Sequence, residues 1–146
     1  MILTKYADYS IRVLLYLGCH PGKKVPITEI AGAYGISRNH LMKVSQNLAR
    51  HRFIIGYRGK GGGIALARPA RNIMLGEVLA LVEPNLRPLE STPSPGIHPG
   101  DRRFQEALGL ARSAFLNSLS SCTLADLIVD TATGQPPRTN GKHHHG

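Results

Sequence analysis

The residues best suited to chemistry in this sequence are the cations of one long segment that contains no carboxylate. Between Glu29 and Glu77 there is no Asp or Glu, and eight Lys and Arg residues fall there: Arg38, Lys43, Arg50, Arg52, Arg58, Lys60, Arg68 and Arg71. The whole chain of 146 residues has a net charge of +9 and a pI of about 10.1. Such a balance favours a polyanionic partner, either a nucleic acid or an acidic membrane surface. A solvated basic face without a partner is the alternative.

Within this segment, "GISRNHLMKVSQNLAR" predicts an amphipathic helix. Ser37 can cap it, and Leu41, Val44 and Leu48 recur at helical spacing. A short helix, "ITEIAGAY", precedes it across a tight turn at Gly35, which is typical of a helix-turn-helix. The first residues of such a helix reach base edges and phosphates in the DNA major groove. The expected DNA contacts are Ser37, Arg38, Asn39, His40 and, on phosphate, Lys43.

Two short apolar runs after this helix, "FIIGY" and "IALA", predict the strands of a β-wing. The six residues between them, "RGKGGG", leave the backbone unobstructed, so that two cations can enter a narrow minor groove. The expected wing contacts are Arg58, Gly59, Lys60 and Gly61. A flexible hairpin and a phosphate cradle are the alternatives for "GKGGG". The cradle requires a helix after the glycines, whereas a strand is predicted there.

Further helices are predicted on both sides of this segment. Thr4 can cap a first helix, and Asn72 can cap a fourth, which Pro84 ends. Residues 84–103 contain five prolines and show no periodicity, which predicts a long loop.

A long amphipathic helix is predicted to start near Asp101. A wide apolar stripe on a helix that leaves the winged domain predicts pairing with a second copy of the chain. The stripe consists of Phe104, Leu108, Ala111, Phe115 and Leu119. Thr123 and Asp126 predict a capping box for a short last helix, "LADLIVD".

The predicted fold is mainly α with a small β-wing, in four parts. Residues 1–83 form a winged helix-turn-helix DNA-binding domain, and residues 84–103 form a loop of the kind that could sense a signal. Residues 104–130 hold the dimerisation helix and the short last helix. Residues 131–146 have little to bury and are predicted to be disordered.

Other classes of protein are disfavoured by what the sequence lacks. No apolar run approaches the roughly 20 residues that span a bilayer, and the N-terminus is not a signal peptide, so the cytoplasm is expected. The enzyme motifs GxSxG, HExxH and CxxC are absent, and His20, His40 and His51 are scattered, so we do not expect an enzyme. Cys19 and Cys122 are too few for a disulfide framework and are expected to be buried small hydrophobes.

The sequence resembles the bacterial winged helix-turn-helix regulators that include the nitric-oxide-sensing repressor NsrR and the iron–sulfur cluster regulator IscR. The matching stretches run from residue 1 to about 130: "LTKYADYSIRVLLYL", "ISRNHLMKVSQNLAR", "RGKGGGIALA", "LGEVLALVEP" and "AFLNSLSSCTLADL". "NHLMKV" followed by "RGKGGGI" points to the NsrR branch. The resemblance implies a homodimer on palindromic double-stranded promoter DNA, and it adds Tyr9 to the DNA contacts.

The resemblance breaks down at the residues that would hold a cluster. Cluster-binding members carry three loop cysteines, where this chain aligns Ser91, about Gly96 and about Arg102. None of these supplies the thiolate that an iron–sulfur cluster needs. Asp8 lies where the NsrR branch draws a fourth ligand, but one carboxylate cannot hold a cluster, and an anion there also suits a helix N-terminus. We therefore expect no cofactor.

Three interpretations of the sensor region stay open. The protein could respond to another signal in the same cavity, it could use His98 for a metal or haem, or it could bind DNA constitutively. An NsrR-like nitric oxide or redox sensor with a cluster, haem or metal on non-standard ligands is the alternative function. An RNA-binding or structural winged helix is a further class, because fold alone does not decide the partner.

Overall fold

The computed structural model describes residues 3–86 and 98–128 of the chain. These residues form helices joined by one small antiparallel sheet, which confirms the predicted fold class. The helices and strands, in chain order, are α1 (Lys5–Gly18), α2 (Ile27–Tyr34), α3 (Arg38–Arg50), β1 (Ile54–Tyr57), β2 (Gly63–Leu66), α4 (Leu75–Val82), α5 (Pro99–Leu119) and α6 (Leu124–Leu127). Short 3₁₀ turns, Ala70–Asn72 and Pro84–Leu86, flank α4. None of the helices within the described residues is both long and apolar enough to span a membrane.

The core is aliphatic and joins α1, α3, α4 and the inner face of the sheet. The predicted inward face of α3 is buried as expected, and Phe53 is a large aromatic addition directly after that helix. Each such side chain stabilises the fold by roughly 1.5–3 kcal/mol when it leaves water. Among the described residues, the completely buried aliphatic side chains are Ala7, Val13, Leu14, Val25, Ile30, Leu41, Leu48, Ile73, Val78 and Leu124.

Several predicted helix ends are confirmed. Thr4 caps α1 by accepting a hydrogen bond from the backbone N–H of Ala7 at 3.2 Å. Gly35 ends α2 in the left-handed conformation, at a φ of 64° that suits glycine. Thr123 and Asp126 cap α6 reciprocally, as the sequence pattern predicted.

The start of α4 differs from the prediction. Asn72 does not cap it, because this residue closes a 3₁₀ turn and the helix begins at Leu75. The chain is extended at Ile73, whose carbonyl accepts a hydrogen bond from the N–H of Leu124 at 2.8 Å. Met74 forms a β-bridge with Thr123. Pairing with the C-terminal segment therefore keeps residues 73 and 74 extended, and α4 begins only after them.

The loop predicted over residues 84–103 is shorter than expected at both ends. A 3₁₀ turn begins at Pro84, and α5 begins at Pro99, whose ring preorganises the first helical position. His98 is the cap residue, and its Nδ1 accepts a hydrogen bond from the N–H of Gly100 at 2.9 Å. Residues 87–97 and the predicted disordered tail lie outside the described residues.

A close contact holds α5 against α4. A Cβ added at Gly76 would lie 2.9 Å from the carbonyl oxygen of Leu116, so only glycine permits this approach. Phe115 and Leu119, which belong to the predicted stripe, also pack against the core of their own chain. The C-terminal part of α5 is thus an element of the fold.

A buried carboxylate ties the end of α4 to the start of α1. Glu83 is 2% exposed, and its Oε2 accepts hydrogen bonds from the N–H of Thr4 at 2.9 Å and from its Oγ1 at 3.1 Å. Its Oε1 accepts from Nδ2 of Asn85 at 2.9 Å. Burial raises the pKa of Glu83, but the hydrogen bonds from Thr4 and Asn85 outweigh this effect and lower the pKa overall.

We expect Glu83→Gln to lower the free energy of unfolding at pH 7 by about 1–3 kcal/mol, because hydrogen bonds to a charged acceptor are lost. A carboxyl with a lowered folded pKa contributes stability above its unfolded pKa of about 4.3, and that contribution disappears as the pH falls through the folded pKa. The difference between wild type and variant should therefore shrink below about pH 4. Urea unfolding at several pH values measures it.

The matched control is Glu106→Gln, which removes an exposed carboxylate that pairs with Arg102 on the surface of α5. Such pairs contribute little, so this variant should change the free energy of unfolding by less than about 1 kcal/mol. Equal effects of the two substitutions would contradict a special role of Glu83.

Candidate nucleic-acid interface

The predicted readers on α3 share one exposed surface at the start of the helix. Arg38, Asn39, His40 and Lys43 are all exposed, whereas the opposite face of α3 is buried. Ser37 occupies the cap position as predicted, but its side chain makes no capping hydrogen bond. The first N–H groups of α3 therefore remain available to an anion, and the helix dipole favours negative charge there.

Tyr9 lies beside this surface although it belongs to another helix. Its ring centroid is 6.3 Å from that of His40, and the two planes are inclined by 29°. The residue is half-buried on α1. The fold thus places Tyr9 next to the first turn of α3, where the resemblance implies a DNA contact.

The wing is anchored at its base. β1 and β2 pair from Ile54 opposite Leu66 to Tyr57 opposite Gly63. Val25, in the connection between α1 and α2, exchanges two backbone hydrogen bonds of 2.8 Å with Ile64.

Gly63 is required at this anchor, since a Cβ there would lie 2.6 Å from the carbonyl of Val25. Because Gly63 belongs to β2, the link between the strands is one residue shorter than predicted.

The tip of the wing carries the other predicted contacts. Arg58, Gly59, Lys60 and Gly61 are exposed in the turn between the strands. Gly59 and Gly61 have φ values of 85° and 76°, which side-chain-bearing residues rarely adopt. The glycines therefore serve the turn itself, while Arg58 and Lys60 present charge.

One cation near the wing was not indicated by any sequence pattern. Lys24 holds its Nζ 4.2 Å from the ring centroid of Tyr57, which is within the range of a cation–π contact. Lys24 precedes the bridge at Val25, so the strand pairing brings it to the base of the wing. The only available signal was its place in the basic "GKK" stretch.

The acidic groups nearest the basic segment are neutralised locally. Glu29 accepts a hydrogen bond from the Tyr16 hydroxyl at 2.8 Å and another from Lys23, and these two bonds lower its pKa. Glu77 pairs with Arg68 at 3.2 Å. The exposed cations of α3 and the wing tip form no ion pair within the described residues.

The candidate donor groups among the described residues do not form a ligand set for an iron–sulfur cluster. Asp8 pairs with Arg12 at 3.0 Å, and the Nδ1 of His98 caps α5. Arg102 is a cation that pairs with Glu106. No group of three His, Cys, Asp or Glu side chains within the described residues is placed to hold a metal ion. The aligned positions Ser91 and Gly96 lie outside those residues.

The two cysteines have different surroundings. Cys19 is exposed at the end of α1, so the expectation that it is buried is wrong: a residue that follows the last turn of a helix has left its packed face. Cys122 is half-buried, and burial, followed by the charge of Asp126, raises the pKa of its thiol. Both are free thiols.

Several proteins of known structure have a fold similar to that of this chain. The global cysteine regulator CymR of B. subtilis has a similar structure, with a TM-score of 0.68 and 22% identity over 87% of this chain and 95% of that one. IscR of T. potens has a TM-score of 0.66 and 24% identity, covering 86% and 85%. CymR of Staphylococcus aureus has a TM-score of 0.62 and 24% identity, covering 83% and 93%. At sequence identities this low, the structural similarity shows that the proteins share a fold and nothing further.

The family comparison goes further than the fold. Residues 3–130 match the model of the Rrf2 family, which is described as iron-dependent transcriptional regulators. This match confirms the resemblance to regulators of the IscR type and the expectation that the protein is not an enzyme, while assignment to the NsrR branch stays a prediction. Because the match covers most of the chain, the protein belongs to the Rrf2 family of DNA-binding transcriptional regulators.

Proposed function

We propose that this regulator is a cytoplasmic repressor that binds an inverted-repeat operator in double-stranded DNA as a homodimer, without an iron–sulfur cluster. The observation that carries the proposal is the exposed cationic start of α3, which has Tyr9 beside it and whose cations form no ion pair in the described residues. A helix of this kind fits the major groove, and the glycine-rich wing suits the adjacent minor groove.

The side chains suggest a division of labour. Arg38 can pair with guanine and Asn39 with adenine, since each presents the donors and acceptors that these bases match in the major groove. Lys43 lies one turn further along and suits a phosphate. Arg58 and Lys60 at the wing tip suit the negative potential of a narrow minor groove.

An exposed apolar surface on α5 supports the homodimer. Phe104 and Leu108, which lie on one face of the helix, are 60% and 45% exposed, and no residue of α5 is buried. A second copy of the helix would remove these side chains from water at about 25 cal/mol for each Å² of apolar area. A two-fold dimer would also present two copies of α3 to two half-sites.

A dimer bound across a promoter would obstruct transcription, which supports a repressor. The absence of loop thiolates supports a cluster-free protein. The family description, which names iron, favours a second candidate: a nitric oxide or redox sensor with iron, haem or a cluster on non-standard ligands. Its weak candidate ligands are Asp8, which would have to leave Arg12, and the second ring nitrogen of His98.

We expect Arg38→Ala to relax base preference within each half-site, at roughly 1–3 kcal/mol for a lost bidentate contact. Arg58→Ala should instead weaken binding most on sites with A·T-rich minor grooves. Fluorescence anisotropy on inverted-repeat duplexes selected from a random pool measures both, with RNA of the same sequence as competitor.

Arg103→Ala removes the same charge from the exposed surface of α5 and serves as the control. It should leave base preference unchanged. If Arg38→Ala and Arg58→Ala lower affinity uniformly across all sequences, the division of labour is wrong. If RNA competes as well as duplex DNA, the proposed partner is wrong.

Leu108→Glu combined with Phe104→Glu should convert the dimer to a monomer, because two carboxylates would be buried in an apolar interface. The fold should survive, since neither side chain contributes to the core. Sedimentation equilibrium should show half the mass, with an unchanged circular dichroism spectrum. Gln105→Glu adds a carboxylate beside the stripe and should leave the dimer intact. A monomeric wild-type protein at micromolar concentration would contradict the proposal.

Protein purified without oxygen should lack the visible absorption of sulfur-ligated iron, and it should bind DNA without reconstitution. Assays for iron and acid-labile sulfide check this directly. Stoichiometric iron and sulfide would overturn the cluster-free proposal, and Cys19→Ser and Cys122→Ser would then identify the ligands. Haem or metal that disappears in His98→Ala would favour the second candidate.

A further inference from the structure

A groove runs between α3 and β1, on the side of the wing that faces the core. One part of it is a depression of about 740 Å³, open to solvent, that reaches Arg52 and Arg68, and a second open part of about 180 Å³ reaches Met42 and Ser45. Ala49, Ile54 and Gly56 line both parts, so the two depressions adjoin. We call it the α3–β1 groove. Its larger part falls within the usual size of small-molecule sites, about 300–1,000 Å³.

One residue of the groove wall lacks a side chain. Gly56 lies on β1, and a Cβ added there would meet nothing within 4 Å. Its backbone is an ordinary strand conformation, so other residues could occupy the position. Ala49 on α3 and Ile54 beside Gly56 make the remaining surface mainly apolar.

One end of the groove is cationic, and one of its cations has a backbone conformation that is rare for a residue with a side chain. Arg52 adopts a φ of 61° directly after α3, in a turn closed by a hydrogen bond from the N–H of Phe53 to the carbonyl of Leu48 at 3.0 Å. Glycine is favoured at such a position, and another residue costs roughly 1–2 kcal/mol. The chain thus places a cation here at the expense of stability, and Arg52 has no ion pair within the described residues.

Arg68 stands beside it in a fixed orientation. Its guanidinium lies 4.5 Å from the ring centroid of Phe53 and donates to Glu77. Its Nε is buried and has no hydrogen-bond partner within the described residues. His51 also lines this end. Together these groups offer more donors than Glu77 satisfies, which suits an anion.

A polar atom lies at the other end of the groove. Ser45 is 5% exposed, and its hydroxyl is shielded from solvent without a hydrogen-bond partner in the described part of the chain. An unpaired buried hydroxyl costs about 1–3 kcal/mol.

We propose that the α3–β1 groove binds a small amphipathic anion, with its carboxylate at Arg52 and Arg68 and its apolar body along Ala49, Ile54 and Gly56. The walls of the site are the recognition helix and the first wing strand, so an occupant would alter the spacing of the two. That effect on DNA binding rests on the proposed function, whereas the binding of the anion itself does not.

The test uses the full chain without DNA and octanoate as the probe, titrated by calorimetry and by amide chemical shifts. Octanoate should bind and should shift residues of α3 and β1. Octanol, which lacks the charge, should bind at least about tenfold more weakly. Butyrate should also bind at least about tenfold more weakly, because each methylene contributes about 0.8 kcal/mol.

Two variants separate the parts of the site. Arg52→Gly suits the backbone conformation, so it should raise the melting temperature while weakening octanoate binding about tenfold. Gly56→Leu should fill the groove and abolish binding. Gly32→Ala, at an exposed position on α2 with nothing within 4 Å, and Arg103→Ala are the matched controls and should bind octanoate normally.

Failure of octanoate to bind the wild-type protein, or equal binding by Gly56→Leu, would overturn the proposal. If Arg52→Gly weakens duplex DNA but not octanoate binding, the cationic end belongs to a DNA phosphate and the proposal is also wrong. If the protein binds octanoate but does not bind inverted-repeat DNA, the proposed function is wrong, whereas the proposed anion site is supported.

Discussion

The position of the DNA contacts predicted on α3 depends on how the apolar face of that helix packs against α1. Leu41, Val44 and Leu48 are buried there, in one core with Val13 and Leu14. Burial of each side chain is worth roughly 1.5–3 kcal/mol, so a rotation of α3 that hid its cations would lose several of these contributions at once. The helix is therefore held with its basic face outward, and α1 brings Tyr9 to the same surface.

The wing depends on the same core but joins a rigid base to a glycine-rich tip. Ile54 and Ile64 bury the inner face of the sheet, and the bridge from Val25 pins its outer edge. At the tip, positive φ values restrict Gly59 and Gly61 to a turn that presents the neighbouring cations. Gly56 on β1 leaves an open depression between the strand and α3.

The two halves of the chain differ in how much their sequence patterns revealed. Around α3, apolar spacing and charge predicted both the element and its exposed face. On α5 the continuous stripe from Phe104 to Leu119 could not be divided by periodicity. The structure divides it, because Gly76 lets α4 approach the C-terminal part of the helix while the N-terminal part remains exposed. Residues that face their own core and residues that face a partner share one helical period.

The sequence by itself determined the features that arise from neighbouring residues. The cap at Thr4, the left-handed turn at Gly35 and the capping box at Thr123 each involve groups within a few positions of one another. Only the tertiary structure decided where α4 begins and why Glu83 stays charged inside the protein. Glu83 accepts hydrogen bonds from a residue 79 positions away, and the start of α4 depends on pairing between the residues before it and the C-terminal segment. Such contacts exist only once the core has brought distant segments together, and no local pattern encodes them.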